Sequence, residues 1–574
     1  MSFIVGISGY FHDSSVCLLK DAKVVEFIKE ESLTRVKGSK GFPCRALLLI
    51  KDKYNLSDDN VDHVVFYEKP FRGWASRIFR SLSMPKRAFK LLNNQLKQFW
   101  NGPISVAKEI RSIIPIAENK LLYAPHHLSH VLSAMPFVPK NLENEVQLHF
   151  VFDGVGDDDC HSIYRTKGTK TELLFSQKYP NSLGLFYSAV TDFSGFLINE
   201  GEYKLMALAA FGRPIHCELM LSEMIKIEDQ QITLNMDWFD FDKTTEKSFS
   251  KRFVEEFGEP IQWANIKSRE EQEFRRVADL AASAQSVVEK ALISIIEWGL
   301  GKYDCKAITI SGGVAHNSVA MEQVIKRVNQ RLPVIIPPSP GDSGGALGAA
   351  HFGHIVARDK PIFCNEIFFG STYETESNNL FPNLFRKIHG FNAMDAHLIE
   401  ILEAGGIICC FFKGNEMGPR ALGNRSIICS AGVEKAVKTL NLKVKKREFF
   451  RPLAPMMLKK FAEKHFYIDP YSLKSYEWMA LTAHAKPGFP DCYKSALHVD
   501  STSRIQILNH RNHYLFGLLK KMVGRVDVLI NTSFNVAGDP IVFDIIDCFT
   551  NMKRLGLKYL VTEKGLFEIV DDNS

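Results

Sequence analysis

Phe3-Ile4-Val5-Gly6-Ile7-Ser8-Gly9-Tyr10-Phe11-His12-Asp13-Ser14-Ser15-Val16-Cys17-Leu18-Leu19-Lys20-Asp21-Ala22-Lys23-Val24-Val25-Glu26 alternates short apolar runs with small or polar residues. It reads as strand, tight turn, strand, polar turn, strand. The same grammar returns at residues 148–157, 161–165 and 173–175, with Asp153-Gly154-Val155-Gly156 closing the first of those runs. Two such meanders in one chain predict an internal duplication. A later run, Ala307-Ile308-Thr309-Ile310-Ser311-Gly312-Gly313-Val314-Ala315-His316-Asn317, reads as a buried strand entering a glycine pair, where bare backbone can approach a ligand closely.

Duplicated meanders with glycine-rich turns, each followed by helices, are how the actin-like ATPase fold presents a nucleotide between two lobes. By that analogy the expected first domain is α/β, actin-like and two-lobed. Gly312, Gly313 and Asn317 become candidates for the nucleotide. Around this core, residues 277–300 have the pattern of an amphipathic helix, and the charged stretch 214–275 reads as a helical insertion. Residues 74–100 mix Arg77, Arg80, Lys86, Arg87, Lys90 and Lys97 with apolar residues; no function is assigned to them, because a solvated face on a packed helix has the same composition.

At 574 residues the chain exceeds what one hydrophobic core usually serves. The pattern changes across the connector Ala357-Arg358-Asp359-Lys360-Pro361, so the expected domains are 1–356 and 362–574. A net charge of +6, with 45% hydrophobic and 24% charged residues, describes an ordinary globular chain. It gives no reason to expect nucleic acid as a partner. Eleven cysteines without a metal-type C-x-x-C pair suit a reducing compartment. With no apolar run long enough to cross a membrane and no signal-like start, a cytoplasmic protein is expected.

The second half opens on a short buried strand at residues 407–412 and delivers it into Gly414-Asn415-Glu416-Met417-Gly418-Pro419-Arg420-Ala421-Leu422-Gly423-Asn424-Arg425-Ser426. That stretch is followed by Lys445-Lys446-Arg447-Glu448-Phe449-Phe450-Arg451-Pro452. Arg420, Arg425, Lys445, Arg447 and Arg451 stand among glycines and prolines, a composition in which cationic forks and backbone N–H groups converge on a dense anion. It reads as a polyphosphate-handling site; a solvated basic loop is the alternative. Residues 526–535 form another expected strand, ending in amides and hydroxyls where ligands of α/β proteins usually sit.

His126 and His130 stand four apart, on one face if helical. The pair alone is a common chance pattern. Asp153, in Asp-Gly-Val-Gly, and Asp342, in Pro338-Ser339-Pro340-Gly341-Asp342-Ser343-Gly344-Gly345, add two carboxylates in small-residue turns; both are equally the kind of residue that caps its own turn. Two imidazoles with two carboxylates make an N2O2 set suited to Fe(II), Mn(II) or Zn(II).

The order His126-His127-Leu128-Ser129-His130, Asp153-Gly154-Val155-Gly156, Gly201-Glu202-Tyr203-Lys204-Leu205-Met206-Ala207-Leu208-Ala209, Gly312-Gly313-Val314-Ala315-His316-Asn317, Gly418-Pro419-Arg420-Ala421-Leu422-Gly423-Asn424-Arg425-Ser426, Phe450-Arg451-Pro452-Leu453-Ala454-Pro455 and Asn531-Thr532-Ser533-Phe534-Asn535 resembles the NodU/CmcH family of O-carbamoyltransferases nearly end to end. The resemblance implies an N-terminal TsaD-like, actin-like domain and a C-terminal YrdC-like domain. In such enzymes the YrdC-like part converts carbamoyl phosphate and ATP, with Mg²⁺, to carbamoyl adenylate. The actin-like part passes the carbamoyl group to an acceptor hydroxyl beside a bound metal, usually iron, with zinc or manganese as alternatives.

Carried over by motif, His126, His130, Asp153 and Asp342 are implied as metal ligands. Arg420, Lys445 and Arg451 are implied as carbamoyl phosphate and adenylate contacts, with Arg504 and Asn531 as further candidates beside Arg425 and Arg447. Lys204 is a candidate phosphate contact. His12, next to Asp13, is the candidate base for the acceptor proton. The expected function is therefore carbamoyl transfer to a sugar, antibiotic or other small hydroxylated acceptor. Two alternatives are tRNA threonylcarbamoyl-type transfer and a nucleotide-binding scaffold without turnover.

Overall fold

A computed structural model describes residues 2–69, 105–244, 246–266, 268–328, 332–370 and 384–570; the basic segment 74–100 lies outside them. The architecture is mixed α/β. Two compact units account for the chain: Met1–Val24 with Lys40–Asn365, and Val25–Ser39 with Glu366–Ser574.

The opening meander folds as β1 (Phe3–Ser8) and β2 (Ser15–Lys20) in the first unit and β3 (Lys23–Lys29), which runs from the first unit into Val25–Ser39 of the second. Asp21 and Ala22, at φ 48° and 65°, make the two-residue left-handed turn that matches strand twist. With β4 (Val61–Phe66) and β5 (Leu121–Tyr123) they form a sheet of order β3-β2-β1-β4-β5. Strand β1 runs antiparallel to β2 and parallel to β4, and β4 runs parallel to β5.

The helix α1 (His126–Ala134) follows, and then β6 (Val146–Gly156), β7 (Asp159–Lys167) and β8 (Lys170–Lys178). Helices α2 (Glu202–Ala209) and α3 (Gln272–Lys302) come next, with β9 (Ala307–Ser311) and β10 (Val334–Ile335) after them. The second sheet has the order β10-β9-β6-β7-β8. Here too the first strand of the meander is antiparallel to the second and parallel to the strand on its other side. The same order and the same senses occur twice, which is the duplication that the two meanders predicted.

Helix α4 (Asp342–Arg358) packs on β1, β2 and β4 and against α1, which itself packs on β6 and β9. Small residues make this possible. A Cβ on Gly348 would stand 1.8 Å from the carbonyl oxygen of Ser129, so only glycine lets α4 approach α1 this closely. The consequence is that the N-terminal ends of α1 and α4, the C-terminal end of β6 and the β1–β2 turn come together at one place.

The charged stretch 214–275 departs from its helical expectation. Its described residues contain an antiparallel hairpin, Ile225–Glu228 with Gln231–Leu234, and, before the helix that starts at Gln272, short helical turns such as Cys217–Leu219 and Lys251–Phe257. Within the hairpin Ile225, Ile232 and Leu234 are buried while Lys226, Glu228 and Thr233 are exposed. This period-two alternation outweighs the charge content from which a helix was expected.

In the second unit β11 (Phe385–Gly390), β12 (Ile408–Phe411), β13 (Arg425–Ser430), β14 (Ala454–Leu458), β15 (Gln506–Leu508), β16 (Val528–Ser533), β17 (Tyr559–Thr562) and β18 (Gly565–Ile569) form one sheet. Its order is β11-β18-β17-β12-β13-β16-β14-β15. The strands β12 and β13 are buried on both faces. Leu398 and Leu402 from helix Asp395–Glu403, and Leu515 and Leu519 from helix His513–Met522, share a core with Ile408, Ile428, Met456 and Leu529. The segment Val25–Ser39 is fixed in this unit by Arg35, whose guanidinium donates to the carbonyls of Pro540 and Ile541 and lies 3.1 Å from Asp547.

Candidate functional site

His126 and His130 occupy successive turns of α1, so their rings leave the same face. The His126 Nε2 lies 3.1 Å from Asp153 Oδ2 and 3.5 Å from Asp342 Oδ1. The His130 Nε2 lies 3.1 Å from His126 Nε2 and 3.4 Å from each of the same two carboxylate oxygens. All four side chains are buried, and their donor atoms lie within 4.8 Å of one another. Asp153 lies near the end of β6 and Asp342 begins α4; neither is spent capping a loop of its own.

These residues fit a divalent cation. Metal–ligand bonds of about 2.0–2.1 Å separate the corners of a tetrahedron by roughly 3.3–3.4 Å, and the histidine–histidine and histidine–carboxylate separations of 3.1 to 3.5 Å lie close to that edge length. Without a cation the cluster must hold itself together with protons. Burial disfavours charge on His126 and His130, but Asp153 and Asp342 outweigh it and raise both pKa values above the ordinary histidine range. Burial likewise opposes ionisation of Asp153 and Asp342, and the adjacent histidines overcome it and hold both below the usual carboxylate range.

The ligand set is itself held. Asp157 accepts from the backbone N–H of His126 at 3.1 Å and from that of Lys69 at 3.2 Å. Gly313 N–H donates to Asp153 Oδ1 at 3.0 Å, and Glu68 Oε2 stands 3.7 Å from His126 Nδ1. Gly156 leaves room for the first ring: a Cβ there would lie 2.0 Å from His126 Cδ2. Sequence reasoning gave no role to Glu68 or Asp157 and none of its own to Gly156, which it quoted only within Asp153-Gly154-Val155-Gly156. Asp157 follows that motif directly and could have been found, whereas nothing in sequence marks Glu68.

His12 sits beside this centre in the β1–β2 turn. Its Nε2 is 3.9 Å from Asp342 Oδ2 and its Nδ1 3.1 Å from Asp13 Oδ2. Burial opposes its charge, but those carboxylates prevail and lift it to about 9; a cation shared by Asp342 would weaken that pull. Of the other first-unit candidates, Gly313 touches the centre through its N–H to Asp153, whereas Lys204, Gly312 and Asn317 make other contacts. Lys204, on α2, places its ammonium 5.6 Å from the Phe196 ring centroid. Gly312 adopts φ 88° and donates to Pro340 O. Asn317 exchanges two amide hydrogen bonds with Gln285, at 2.9 and 3.1 Å, and caps the helix Ser318–Val328 through Ala320 N–H.

In the second unit a cluster of cations gathers. Burial, then Arg420, Arg447 and Arg451, disfavours the charge of Arg504; burial, then Arg447 and Arg451, pushes the Lys445 ammonium well below its ordinary pKa. Guanidinium stays protonated in proteins, so this is a local concentration of positive charge. Arg447 donates to Thr532 Oγ1 at 2.8 Å, and Arg451 lies 3.4 Å from Glu448. Asn531 donates to Ala421 O and Gln506 Oε1, and its Oδ1 is buried without a partner.

Two members of the set expected to contact the anion are held by groups of this unit. Lys445 has all three N–H donors engaged by this unit: Ser533 O at 2.9 Å, Asn535 O at 2.5 Å and Asn535 Oδ1 at 2.7 Å. It contributes a fixed charge in this arrangement. Arg425 is buried in β13 with its guanidinium 3.7 Å over the Phe411 ring, donating to Phe412 O. Its backbone N–H, with those of Leu422 and Asn424, donates to buried Glu416. Arg425 supports the loop that carries Arg420.

The models for the carbamoyltransferase N-terminus and the carbamoyltransferase C-terminus match residues 3–351 and 399–568. The chain belongs to the carbamoyltransferase family. Relatives place it with NodU/CmcH proteins. It is 31% identical over 98% of its length to the uncharacterized protein sll1178 of Synechocystis, covering 96% of that protein. It is 25% identical over 97% of its length to the nodulation protein NolNO of Sinorhizobium fredii, covering 79% of it. The nodulation protein U of Azorhizobium caulinodans is 29% identical over 47% of this chain and 48% of its own. This carbamoyltransferase thus carries a buried His/Asp centre able to bind a metal in one unit and a clustered set of cations in the other. Among its described residues no helix is long and apolar enough to cross a membrane.

Proposed function

We propose that this carbamoyltransferase uses ATP and carbamoyl phosphate to form carbamoyl adenylate and transfers the carbamoyl group to a hydroxyl of a sugar, antibiotic or other small molecule. The observation that carries the reading is the mutual crowding of Arg420, Lys445, Arg447, Arg451 and Arg504. Such crowding favours a ligand that brings several negative oxygens together, as when a carbamate meets the triphosphate of ATP with its Mg²⁺.

Carbamoyl phosphate and water give carbamate and phosphate. A carbamate oxygen then attacks the α-phosphorus of ATP, the bond to the bridging oxygen breaks, and pyrophosphate leaves. Arg420, Arg447, Arg451 and Arg504 stabilise the charge that builds on the phosphoryl oxygens, and the fixed Lys445 ammonium adds to their field. In the transfer step the acceptor oxygen attacks the carbamoyl carbon, its proton passes to His12 Nε2, and AMP departs. Asp13 orients that imidazole through Nδ1.

His126, His130, Asp153 and Asp342 would hold the metal, for which we propose Fe(II), with Zn(II) or Mn(II) as alternatives. Bound there, it supplies Lewis acidity toward a carbonyl or phosphate oxygen. Residues 1–356 would serve transfer and 362–574 adenylate formation, in keeping with the spans matched by the two family models. Lys204, Gly312 and Asn317 remain proposed nucleotide contacts. Eleven cysteines without a metal-type C-x-x-C pair suit a cytoplasmic setting.

The test is acceptor-independent. Protein incubated with carbamoyl phosphate, ATP and Mg²⁺ should release pyrophosphate and accumulate carbamoyl adenylate, and Arg420→Ala should not. A His126→Ala/His130→Ala variant should lose its bound metal and acceptor carbamoylation while still releasing pyrophosphate. Failure of the wild type to release pyrophosphate rejects the adenylate route; equal metal content in the double variant rejects the metal site.

A further inference from the structure

We propose that Phe11 is the acceptor platform: an exposed aromatic face beside His12 that receives the C–H side of a cyclic polyol. The inference rests on the transfer reaction proposed above and deepens it, by naming the acceptor class and a residue that selects it.

The β1–β2 turn is a strained and tethered piece of backbone. Tyr10 and Asp13, neither of them glycine, adopt φ 71° and 55°, the left-handed region that L-residues avoid unless the surroundings enforce it. The enforcement is visible. Gly41 O accepts from Tyr10 N–H at 3.3 Å and from Ser14 Oγ at 2.6 Å. The Tyr10 hydroxyl meets Ser105 Oγ at 3.0 Å, and its ring packs against Phe42 and Phe66.

These two distortions bracket Phe11 and His12 and turn them opposite ways. His12 is mostly covered and reaches toward Asp342, whereas Phe11 is 45% exposed. Their ring centroids are 4.7 Å apart with a 45° tilt. Phe11 is the only exposed Phe, Tyr or Trp among the described residues of the first unit, although that unit buries dozens of large apolar side chains. A solvent-facing phenyl ring is unfavourable by itself, and here it is placed by strain next to the candidate base.

Geometry links the two roles. His12 keeps about a fifth of its side chain exposed beside the Phe11 ring, so an acceptor that approaches it from solvent would pass along that ring. A phenyl face offers no hydrogen bond and favours flat, weakly polarised C–H surface. A pyranose or cyclitol has both requirements in one molecule: hydroxyls around its rim and C–H bonds over one face. A linear polyol has the hydroxyls without a preformed face.

The experiment uses the full chain with carbamoyl phosphate, ATP and Mg²⁺. The acceptor panel sets methyl glycosides of glucose, galactose, mannose and N-acetylglucosamine, together with myo-inositol, against glycerol and 1,4-butanediol. Carbamoyl adducts are detected by mass. Wild type should carbamoylate at least one ring compound in preference to both linear ones. Phe11→Ala should raise the KM for that ring acceptor by about tenfold or more with kcat within about threefold, the mark of lost ground-state binding. Phe11→Trp should hold KM within about threefold, and Phe11→Leu should fall between, in keeping with aromatic stacking.

Pyrophosphate release without acceptor should be the same in all four proteins. An unmoved acceptor KM in Phe11→Ala overturns the inference. So do linear polyols that match the ring compounds, and so does adenylate formation with no ring compound carbamoylated. A raised KM for ATP in Phe11→Ala would overturn it as well, because the ring would then be stacking on adenine. Absence of pyrophosphate from wild type overturns the parent reading and this inference with it.

Discussion

Adding one methyl group at Gly156 should empty the metal centre without unfolding the chain. A Cβ built there would lie 2.0 Å from Cδ2, 2.4 Å from Cγ and 2.5 Å from Nε2 of His126. Carbon–carbon contact is comfortable near 3.5 Å, so the imidazole would have to retreat by about 1.5 Å. Metal–ligand distances tolerate only about 0.2 Å, which removes His126 from the ligand set. Loss even of a residue that merely supports a ligand typically costs 10- to 100-fold in metal affinity, so loss of the ligand itself should weaken Zn(II) or Fe(II) binding by at least about 100-fold.

The fold should tolerate the change at a cost of about 1–3 kcal/mol, the usual range for one extra methyl in a packed site. Gly154→Ala is the matched control, since its Cβ would meet nothing nearer than Leu185 Cδ2 at 4.0 Å. Elemental analysis of the purified proteins, calorimetric metal titration and a thermal melt check all three expectations. Gly156→Ala retaining a full equivalent of metal, with affinity within about threefold of wild type, would refute the reasoning.

Other consequences are equally open to measurement. Arg420→Ala should lower acceptor-independent pyrophosphate release by about 100-fold or more, as removal of a transition-state donor does. Arg425→Met should act mainly on stability, lowering the melting midpoint because the Phe412 carbonyl loses its donor and Phe411 its stacked cation; stopped-flow and thermal melts separate the two variants. Gly348→Ala should cost about 3 kcal/mol or more, because the new Cβ meets the Ser129 backbone at 1.8 Å and backbone cannot rotate away; a large drop in the melting midpoint or loss of folded protein is the expected result. His149 is buried between Thr166 and Thr309, and burial lowers its pKa to about 3. Unfolded, it takes a proton near pH 6.5, so its contribution is present above about 6.5 and shrinks by about 1.4 kcal/mol per pH unit below that. Urea midpoints between pH 7 and 5 should therefore fall less steeply in His149→Gln than in wild type.

Much of the first unit could be read from residue order because its signals are local. Gly9 to Ser14 and residues 153–157 break apolar runs at the points where β1 and β6 end, and the four-residue spacing of His126 and His130 means one face in the helix they occupy. The quartet was foreseeable as a donor set, but its convergence depends on α4 closing on α1 through Gly348, a contact between residues more than two hundred positions apart. In the second half, charge and glycine content marked a cation-rich stretch yet could not tell Arg420 from Arg425. The difference is strand register: Arg425 opens β13 opposite Phe411 and is drawn inward beside Glu416, while Arg420 precedes the strand. Residues 214–275 were misread because charge content was weighed above the two-residue alternation of Ile225, Ile232 and Leu234.

Val25–Ser39 belongs with Glu366–Ser574 although more than three hundred residues separate them in the chain, and Arg35 pins it there on Pro540, Ile541 and Asp547. A gene split at the apparent midpoint would therefore deliver neither half intact: the downstream product would lack its own clasp, and the upstream product would carry an orphaned one. Exchange of parts with other enzymes, whether by recombination or by an engineer, must move both pieces of that clasp at once.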